Sequence, residues 1–353
     1  MGKIKNTLSD SFWNSKKVLI TGHTGFVGCW LNFLLLKYNA DTYGLSLKDK
    51  NKKKNFFDSL HFNKKKSFFF DISEFNKLDK LVKKIKPDII IHLAAQPLVL
   101  YSYLNPLETY RTNITGTINV LRILKKYKFL QTGLFFTTDK VYENKVKKKT
   151  FKEIDKLNGD DPYSGSKAAS EIIINSYTKS FLKNKNILVL RAGNIIGGGD
   201  YNKSRLVPDI VLSSIKKKIL YIRNKNSIRP WQHILDVIFI IKNLIKKTYS
   251  KKNYEIFNLG PNKSSINVDK ILKKFEKSFL IKKNFLRPTN KEKKSLILDT
   301  MKIKKKYNLK NILTNDEIFE RTISWYEKYH KQKIDMKKLM DDDFKFFVKK
   351  NHE

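Results

Sequence analysis

The sequence predicts a doubly wound α/β architecture: a parallel sheet covered by helices on both faces, followed by a smaller mixed α/β C-terminal lobe. Three observations carry this prediction. Short apolar runs alternate with longer helix-like stretches up to Ala192. The first apolar run ends in a glycine-rich turn, "GHTGFVG", which leads directly into one of those stretches. Polar residues gather where a later apolar run stops, in "FFTTDKVYEN" at 135–144. Hydroxyl, carboxylate and amine groups are costly to desolvate unless each has a partner. In open parallel sheets ligands sit at the strands' carboxyl ends, so this stretch reads as part of a site.

Taken in order, "KKVLIT" is a buried strand and "CWLNFLLLKY" the helix after the glycine turn. "DTYGLSL" and "SFFFD" are strands, "FNKLDKLVKKI" a helix and "PDIIIHLAA" a strand. "PLETYRTNITGTINVLRILKKY" is one long helix, "GLFFTT" a strand, "DPYSGSKAASEIIINSYTKSFL" a second long helix and "NILVLRAG" a strand. Alternation of this kind implies right-handed crossovers in a Rossmann-like sheet. Residues 12–192 are expected to form the dinucleotide-binding domain, with a segment near 232–260 returning to it; residues 193–350 mainly form the second lobe. "KVKKKTFKEIDKLNGDD" reads as a polar surface loop.

Bulk properties narrow the classes. Hydrophobic residues make up 41% of 353, enough for a sizeable core. No apolar run approaches the ~20 residues that cross a bilayer, so no membrane role is expected. "MGKIKNTLSDSFW" lacks a secretory apolar stretch, and the single Cys29 excludes an internal disulfide, which together imply the cytoplasm. Cys29 is expected to pack as a small apolar residue. A net charge of +40 raises nucleic acid as a partner. Only 8 of 73 basic residues are Arg, however, and the lysines are scattered in short runs, so a solvated basic surface is expected instead. The six histidines show no metal-ligand spacing, so no metal is expected.

Two motifs carry chemistry. Gly22, Gly25 and Gly28 give G-x-x-G-x-x-G between strand and helix, where residues without Cβ let backbone amides approach a pyrophosphate and the helix N-terminus attracts its charge. Tyr163 and Lys167 in "YSGSK" are four apart and share a helix face. An adjacent ammonium favours the phenolate, which makes Tyr163 a candidate base for a hydroxyl proton.

With these motifs the chain resembles the extended short-chain dehydrogenase/reductase superfamily. "TTDK" with "YSGSK" narrows the resemblance to nucleotide-sugar 4,6-dehydratases. The lysine at position 140, with "GHTGFVGCWL", "AAQPLV", "DKVYEN", "RAGNIIGGGD", "RLVPDI" and "RPWQHILD", is similar to the CDP-glucose 4,6-dehydratases, from about Phe12 to "ISWYEKYH". Most dehydratases carry Thr-Asp-Glu where this chain has Thr138, Asp139 and Lys140.

The resemblance implies NAD as cofactor, held by Gly22, Gly25, Phe26 and Gly28, with Asp71 and Ile72 beside the adenine, Ala94 and Ala95 lining the site, and Tyr163 and Lys167 at the nicotinamide end. An acidic residue often ends the second strand to hold the ribose; here that place has Ser46, with Lys48 close by. The implied reaction converts CDP-glucose to its 4-keto-6-deoxy derivative. Tyr163 takes the 4-hydroxyl proton, Thr138 binds the 4-oxygen and Asp139 is the acid that expels water. Lys140 is the carbon-5 base, or alternatively stabilises the enolate. Asn194 and Arg229, then Arg205, are expected to meet the substrate pyrophosphate, Trp231 and His233 to shape its pocket, and Asn113 to lie near the active site. A homodimer through the helices near 106–127 and 161–184 is expected by the same analogy. Rival readings are a 4-epimerase, a dTDP- or GDP-sugar dehydratase, and a non-catalytic NAD- or nucleic-acid-binding protein on this scaffold.

Overall fold

Parallel pairing begins with the first apolar run. Strand β1 (Lys17–Thr21) leads through the glycine turn into α1 (Phe26–Lys37) and returns as β2 (Asp41–Ser46). There follow β3 (Ser67–Phe69), α2 (Phe75–Ile85), β4 (Ile89–His92), α3 (Val99–Leu104), α4 (Pro106–Tyr110), α5 (Gly116–Lys126), β5 (Thr132–Thr138), α6 (Pro162–Phe181) and β6 (Asn186–Ala192). Farther along come α7 (Leu206–Ile215), α8 (Ile234–Thr248) and β7 (Tyr254–Leu259). The computed structural model describes residues 10–48, 56–60, 62–143, 150–261, 266–286 and 296–352. The chain divides into two compact units: Met1–Tyr142 with Lys156–Arg191 and Ile238–Phe257, and Glu143–Asp155 with Ala192–Val237 and Asn258–Glu353.

The first unit is built on a seven-stranded sheet in the order β7–β6–β5–β4–β1–β2–β3. Leu19 of β1 faces Tyr43 of β2 and Ile90 of β4 in parallel register, and β4 pairs in parallel with β5. The strand order reverses at β1 and β4, the switch point where doubly wound sheets open a crevice for ligands. This is the predicted fold class. Helix α2 shows how the sequence chooses its buried face. Leu78, Leu81, Val82 and Ile85 are spaced for one stripe and are buried, while Lys80, Lys83 and Lys84 face solvent. Each such side chain contributes ~1.5–3 kcal/mol when fully buried. Helix α1 is apolar nearly all round and correspondingly buried, Cys29 included.

Two expectations need correction. The long helix over "PLETYRTNITGTINVLRILKKY" is not uniform. A π-helical turn, Arg111–Thr115, separates α4 from α5, and α3 precedes them as a separate helix. Asn113 lies in the middle of this turn, and its side chain bonds outside its own helix, as described below. The surface loop at 145–161 is also only partly that. Residues 145–149 lie outside the described residues, but Thr150–Phe151 pairs in parallel with Ile297–Leu298, and Phe151 is buried. A lone phenylalanine in a lysine-rich stretch gives no periodic signal, so the short strand was invisible to pattern reading.

The second unit is mixed α/β. Asn194–Ile196 pairs in parallel with Trp231–His233, Leu220–Ile222 pairs in parallel with Lys283–Phe285, and Ile228–Arg229 pairs antiparallel with Ile266–Asn267. The helix Asn315–His330 starts with a capping box in which Thr314 and Glu317 satisfy each other's backbone amides.

Candidate active site

The glycine turn is shaped by contact, not only by flexibility. Gly22 has φ 77°, and a Cβ there would sit 2.8 Å from the backbone nitrogen of Ala94 at the end of β4. A Cβ on Gly28 would lie 2.2 Å from the carbonyl oxygen of Gly22. The turn therefore closes tightly on the start of α1. Gly25 caps α1 with no side-chain hydrogen bond, which leaves first-turn amides available to an anion. This backbone fits a dinucleotide pyrophosphate. Phe26, the first residue of α1, is buried.

Ser46 ends β2, and its hydroxyl meets His23 Nδ1 at 3.0 Å and accepts from Thr24 N at 3.2 Å. It braces the glycine turn. The His23 ring is stacked so closely over Gly44 that a Cβ on Gly44 would overlap it. Burial pushes the His23 pKa down to about 4, against a bond to the Leu45 backbone. Asp71, after β3, accepts from Ser73 N and pairs with Arg111 at 3.1 Å. Ile72 is a core residue packed over Gly116. Ala94 donates its amide to Thr21 Oγ1, and Ala95 follows it, half-buried, beyond the end of β4.

Helix α6 is started by Asp161, whose carboxylate accepts from Ser164 N and Ser164 Oγ, with Pro162 at the first helical position. Tyr163 then sits in the first turn, with its backbone amide donating to Ser102 Oγ at 3.2 Å. One turn on, Lys167 is buried and donates from Nζ to the carbonyl of Phe136 at 3.1 Å. Phe136 lies in β5, two residues before Thr138. Burial pushes the Lys167 pKa down to about 8, opposed by Glu171. Helix α6 also packs against the turn Asp139–Val141 that ends β5. In that turn Thr138 Oγ1 donates to Asp139 Oδ1 at 3.1 Å and accepts from Lys140 N at 3.3 Å. Asp139 is buried and Lys140 half-buried. The helix with Tyr163 and Lys167 and the strand end with Thr138, Asp139 and Lys140 thus adjoin.

Asn113 is buried, and its amide is committed to the protein. Its Oδ1 accepts from Gln96 N, and its Nδ2 donates to Gln96 O and to Ser166 Oγ. It ties the turn after β4 to α6. His92, at the end of β4, is held by Thr21 Oγ1 at 2.8 Å, and burial, with Lys167 nearby, pushes its pKa down to about 3.

The remaining sequence candidates belong to the second unit. Asn194 and Trp231 are register partners on adjacent strands, and His233 ends the same strand as Trp231. Trp231 is buried and donates from Nε1 to Ile266 O. His233 is fully buried, its Nδ1 accepting from Leu235 N, and burial pushes its pKa down to about 3. Arg229 donates to Ile228 O, and Arg205 pairs with the buried Asp200 at 2.9 Å. Sequence reading missed Glu171, Arg191, Thr137 and Tyr142, which form a buried polar cluster behind the 138–140 turn. The signal for Glu171 was there, four residues beyond Lys167; Arg191 stood out only as a charge in the apolar run "ILVLRA".

Comparison with known proteins places this geometry in a family. The family model described as GDP-mannose 4,6 dehydratase matches residues 19–322. A CDP-glucose 4,6-dehydratase of Salmonella typhimurium is 38% identical over 264 residues, 72% of this chain and 73% of that protein. A dTDP-D-glucose 4,6-dehydratase of Dictyostelium discoideum is 29% identical over 290 residues, 72% of this chain and 62% of that protein. In fold, the chain is similar to a dTDP-glucose 4,6-dehydratase of Bacillus anthracis solved in complex with NAD. The TM-score is 0.74 and the identity 21%, over 90% of this chain and 98% of that one. The chain therefore belongs to the nucleotide-sugar 4,6-dehydratases of the extended short-chain dehydrogenase/reductase superfamily, a family of NAD-dependent hydro-lyases.

Proposed function

We propose that the protein converts CDP-glucose to CDP-4-dehydro-6-deoxyglucose and water, with NAD held at the glycine turn and recycled in place. The observation that carries the reading is the bond from Lys167 Nζ to the Phe136 carbonyl. It couples the Tyr163 helix to the strand that ends in Thr138, Asp139 and Lys140. Similarity to the Salmonella CDP-glucose enzyme supports the nucleotide.

Bound NAD would supply a reversible hydride acceptor, taking hydride from carbon 4 and returning it to carbon 6. The chain's own residues do the proton chemistry. Tyr163 takes the proton of the 4-hydroxyl as its oxygen becomes a carbonyl, and Lys167 supports the phenolate. Thr138 donates a hydrogen bond to the 4-oxygen. The new ketone acidifies carbon 5. Lys140 removes that proton, Asp139 gives one to the departing 6-hydroxyl, which leaves as water, and the protonated Lys140 returns a proton to carbon 5 as carbon 6 is reduced. Lys140 serves as a base only while neutral; a charged Lys140 would stabilise the enolate instead. Gly22, Gly25, Phe26 and Gly28 would cradle the pyrophosphate of NAD, with Asp71, Ile72, Ala94 and Ala95 at its adenine end and along its path. Asn113 positions the turn after β4 against α6. Asn194, Arg229 and Arg205 would meet the substrate diphosphate, and Trp231 and His233 would shape its pocket.

A homodimer accompanies this reading. Leu104 and Leu107 are each 81% exposed, and Tyr103, Ile172 and Phe181 are exposed on α3 and α6. These exposed apolar side chains on the helices of the expected interface support that reading. No helix among the described residues is long and apolar enough to cross a membrane, and a cytoplasmic location fits the single cysteine. The test is to offer CDP-, dTDP-, UDP- and GDP-hexoses to the purified protein and weigh the products. A product one water lighter from CDP-glucose supports the reading. An isomer of unchanged mass, or dehydration of another nucleotide sugar alone, refutes it.

A further inference from the structure

Two side chains bracket the polar turn at 138–140, and both end on the same buried ion pair. Thr137, immediately before the turn, donates its hydroxyl to Glu171 Oε1 at 2.6 Å. Tyr142, two residues after Lys140, accepts on its hydroxyl oxygen from Arg191 Nη1 at 2.8 Å. Arg191 in turn holds Glu171, Nε donating to Oε2 at 2.8 Å and to Oε1 at 3.1 Å. The Arg191 and Glu171 side chains are 2% and 1% exposed, which removes them from any surface role. Glu171 stands four residues beyond Lys167 and eight beyond Tyr163, on the same face of α6. Strand β6 supplies Arg191, helix α6 supplies Glu171, the end of β5 supplies Thr137, and Tyr142 follows the Asp139–Val141 turn.

A buried ion pair is weak evidence of stabilisation, because desolvation offsets the attraction and apolar residues of like volume often do as well. It supplies direction instead. The guanidinium presents its donors in a rigid plane, so the two bracketing bonds have fixed anchor points. The main chain between Thr137 and Tyr142 is thereby pinned at both ends.

We propose that Glu171, Arg191, Thr137 and Tyr142 form a positioning unit for the dehydration. It fixes the acid and base on the 138–140 turn relative to the helix bearing Tyr163 and Lys167. None of the four touches the sugar. The proposal rests on the roles given above to Tyr163 and to residues 138–140. It makes a directional claim: loosening the Tyr142 end disturbs Asp139 and Lys140, and hence water elimination, more than oxidation at carbon 4. Loosening the Thr137 end disturbs Thr138, and hence oxidation.

The test uses full-length protein loaded with NAD and offered CDP-glucose. Tyr142→Phe keeps the ring and leaves the Arg191–Glu171 pair intact; Thr137→Val keeps the shape of its side chain. For Tyr142→Phe, kcat is expected to fall on the order of 10-fold, the scale of a modest misplacement. KM should stay within about 2-fold, as for an interaction not used in ground-state binding. Reduced nicotinamide should build up transiently in its absorbance band at temperatures well below the melting temperature, which itself falls because Arg191 Nη1 loses the Tyr142 hydroxyl as a buried acceptor. Thr137→Val should slow the appearance of that band. Tyr163→Phe runs alongside. If it is inactive while Tyr142→Phe turns over normally without build-up, the positioning proposal is overturned and the base assignment stands. A kcat loss in Tyr142→Phe without build-up of reduced nicotinamide, measured well below its melting temperature, overturns the proposal too. Activity in Tyr163→Phe overturns the base assignment and the proposal together.

Discussion

Lys140, in the turn that ends β5, and Lys167, on the helix packed against that turn, are asked for opposite things. Lys167 must keep a proton to support the phenolate, whereas Lys140 must lose one to act as a base. The Lys167 pKa is pushed down by burial to about 8, from an ordinary 10.5. Activity that needs this ammonium should fall as pH rises through about 8. Glu171 opposes the downward push, so in Glu171→Gln the alkaline fall of kcat/KM should move to lower pH; an unmoved limb would assign that fall to another group. The stability effect has the other sign. The unfolded chain binds more protons at this lysine than the folded one between pH 8 and 10.5, so its contribution to stability rises across that window. Lys140→Met should still reduce the bound cofactor but release 4-keto-6-deoxy product about 10²–10⁴-fold more slowly, the range for losing a general base. Stopped-flow absorbance beside product assay checks it, and normal turnover would make Lys140 a bystander.

At the level of elements, the glycine turn and the start of α6 were legible because each is a local arrangement. Gly22 takes φ 77° and meets the end of β4, and Tyr163 and Lys167 fall on one helical face whatever surrounds them. Gly22→Ala tests the turn. It forces a Cβ into the Ala94 backbone and into a left-handed conformation that alone costs ~1–2 kcal/mol. The expected result is purified protein with much less bound NAD and a lower melting temperature; full NAD occupancy would mean that the turn is not the cradle. What was not legible depends on distant partners. The π-helical turn at Arg111–Thr115 accompanies bonds from Asn113 to Gln96 and Ser166, which lie 17 and 53 residues away. The bracket behind the active turn joins Thr137 to Glu171 and Tyr142 to Arg191, separations of 34 and 49 residues. Neither has a sequence period, and only the folded sheet brings the partners together.

For the whole molecule, the charge of +40 gave no functional direction, and the proposed homodimer rests on exposed apolar residues. If the proposed dimer uses this surface, Leu104→Asp with Leu107→Asp converts it into a monomer in sedimentation or light scattering, because both side chains are 81% exposed and a like-charged patch would repel its copy. An unchanged mass would place the interface elsewhere. The central claim is that one sugar ring is oxidised at carbon 4, dehydrated across carbons 5 and 6, and reduced at carbon 6 without leaving its pocket. CDP-glucose carrying deuterium at carbon 4, turned over in ordinary water and read by NMR, tests this most directly. The account predicts deuterium on carbon 6 of a 4-keto-6-deoxy product, within the same molecule. Deuterium retained at carbon 4, or lost to solvent, would contradict it.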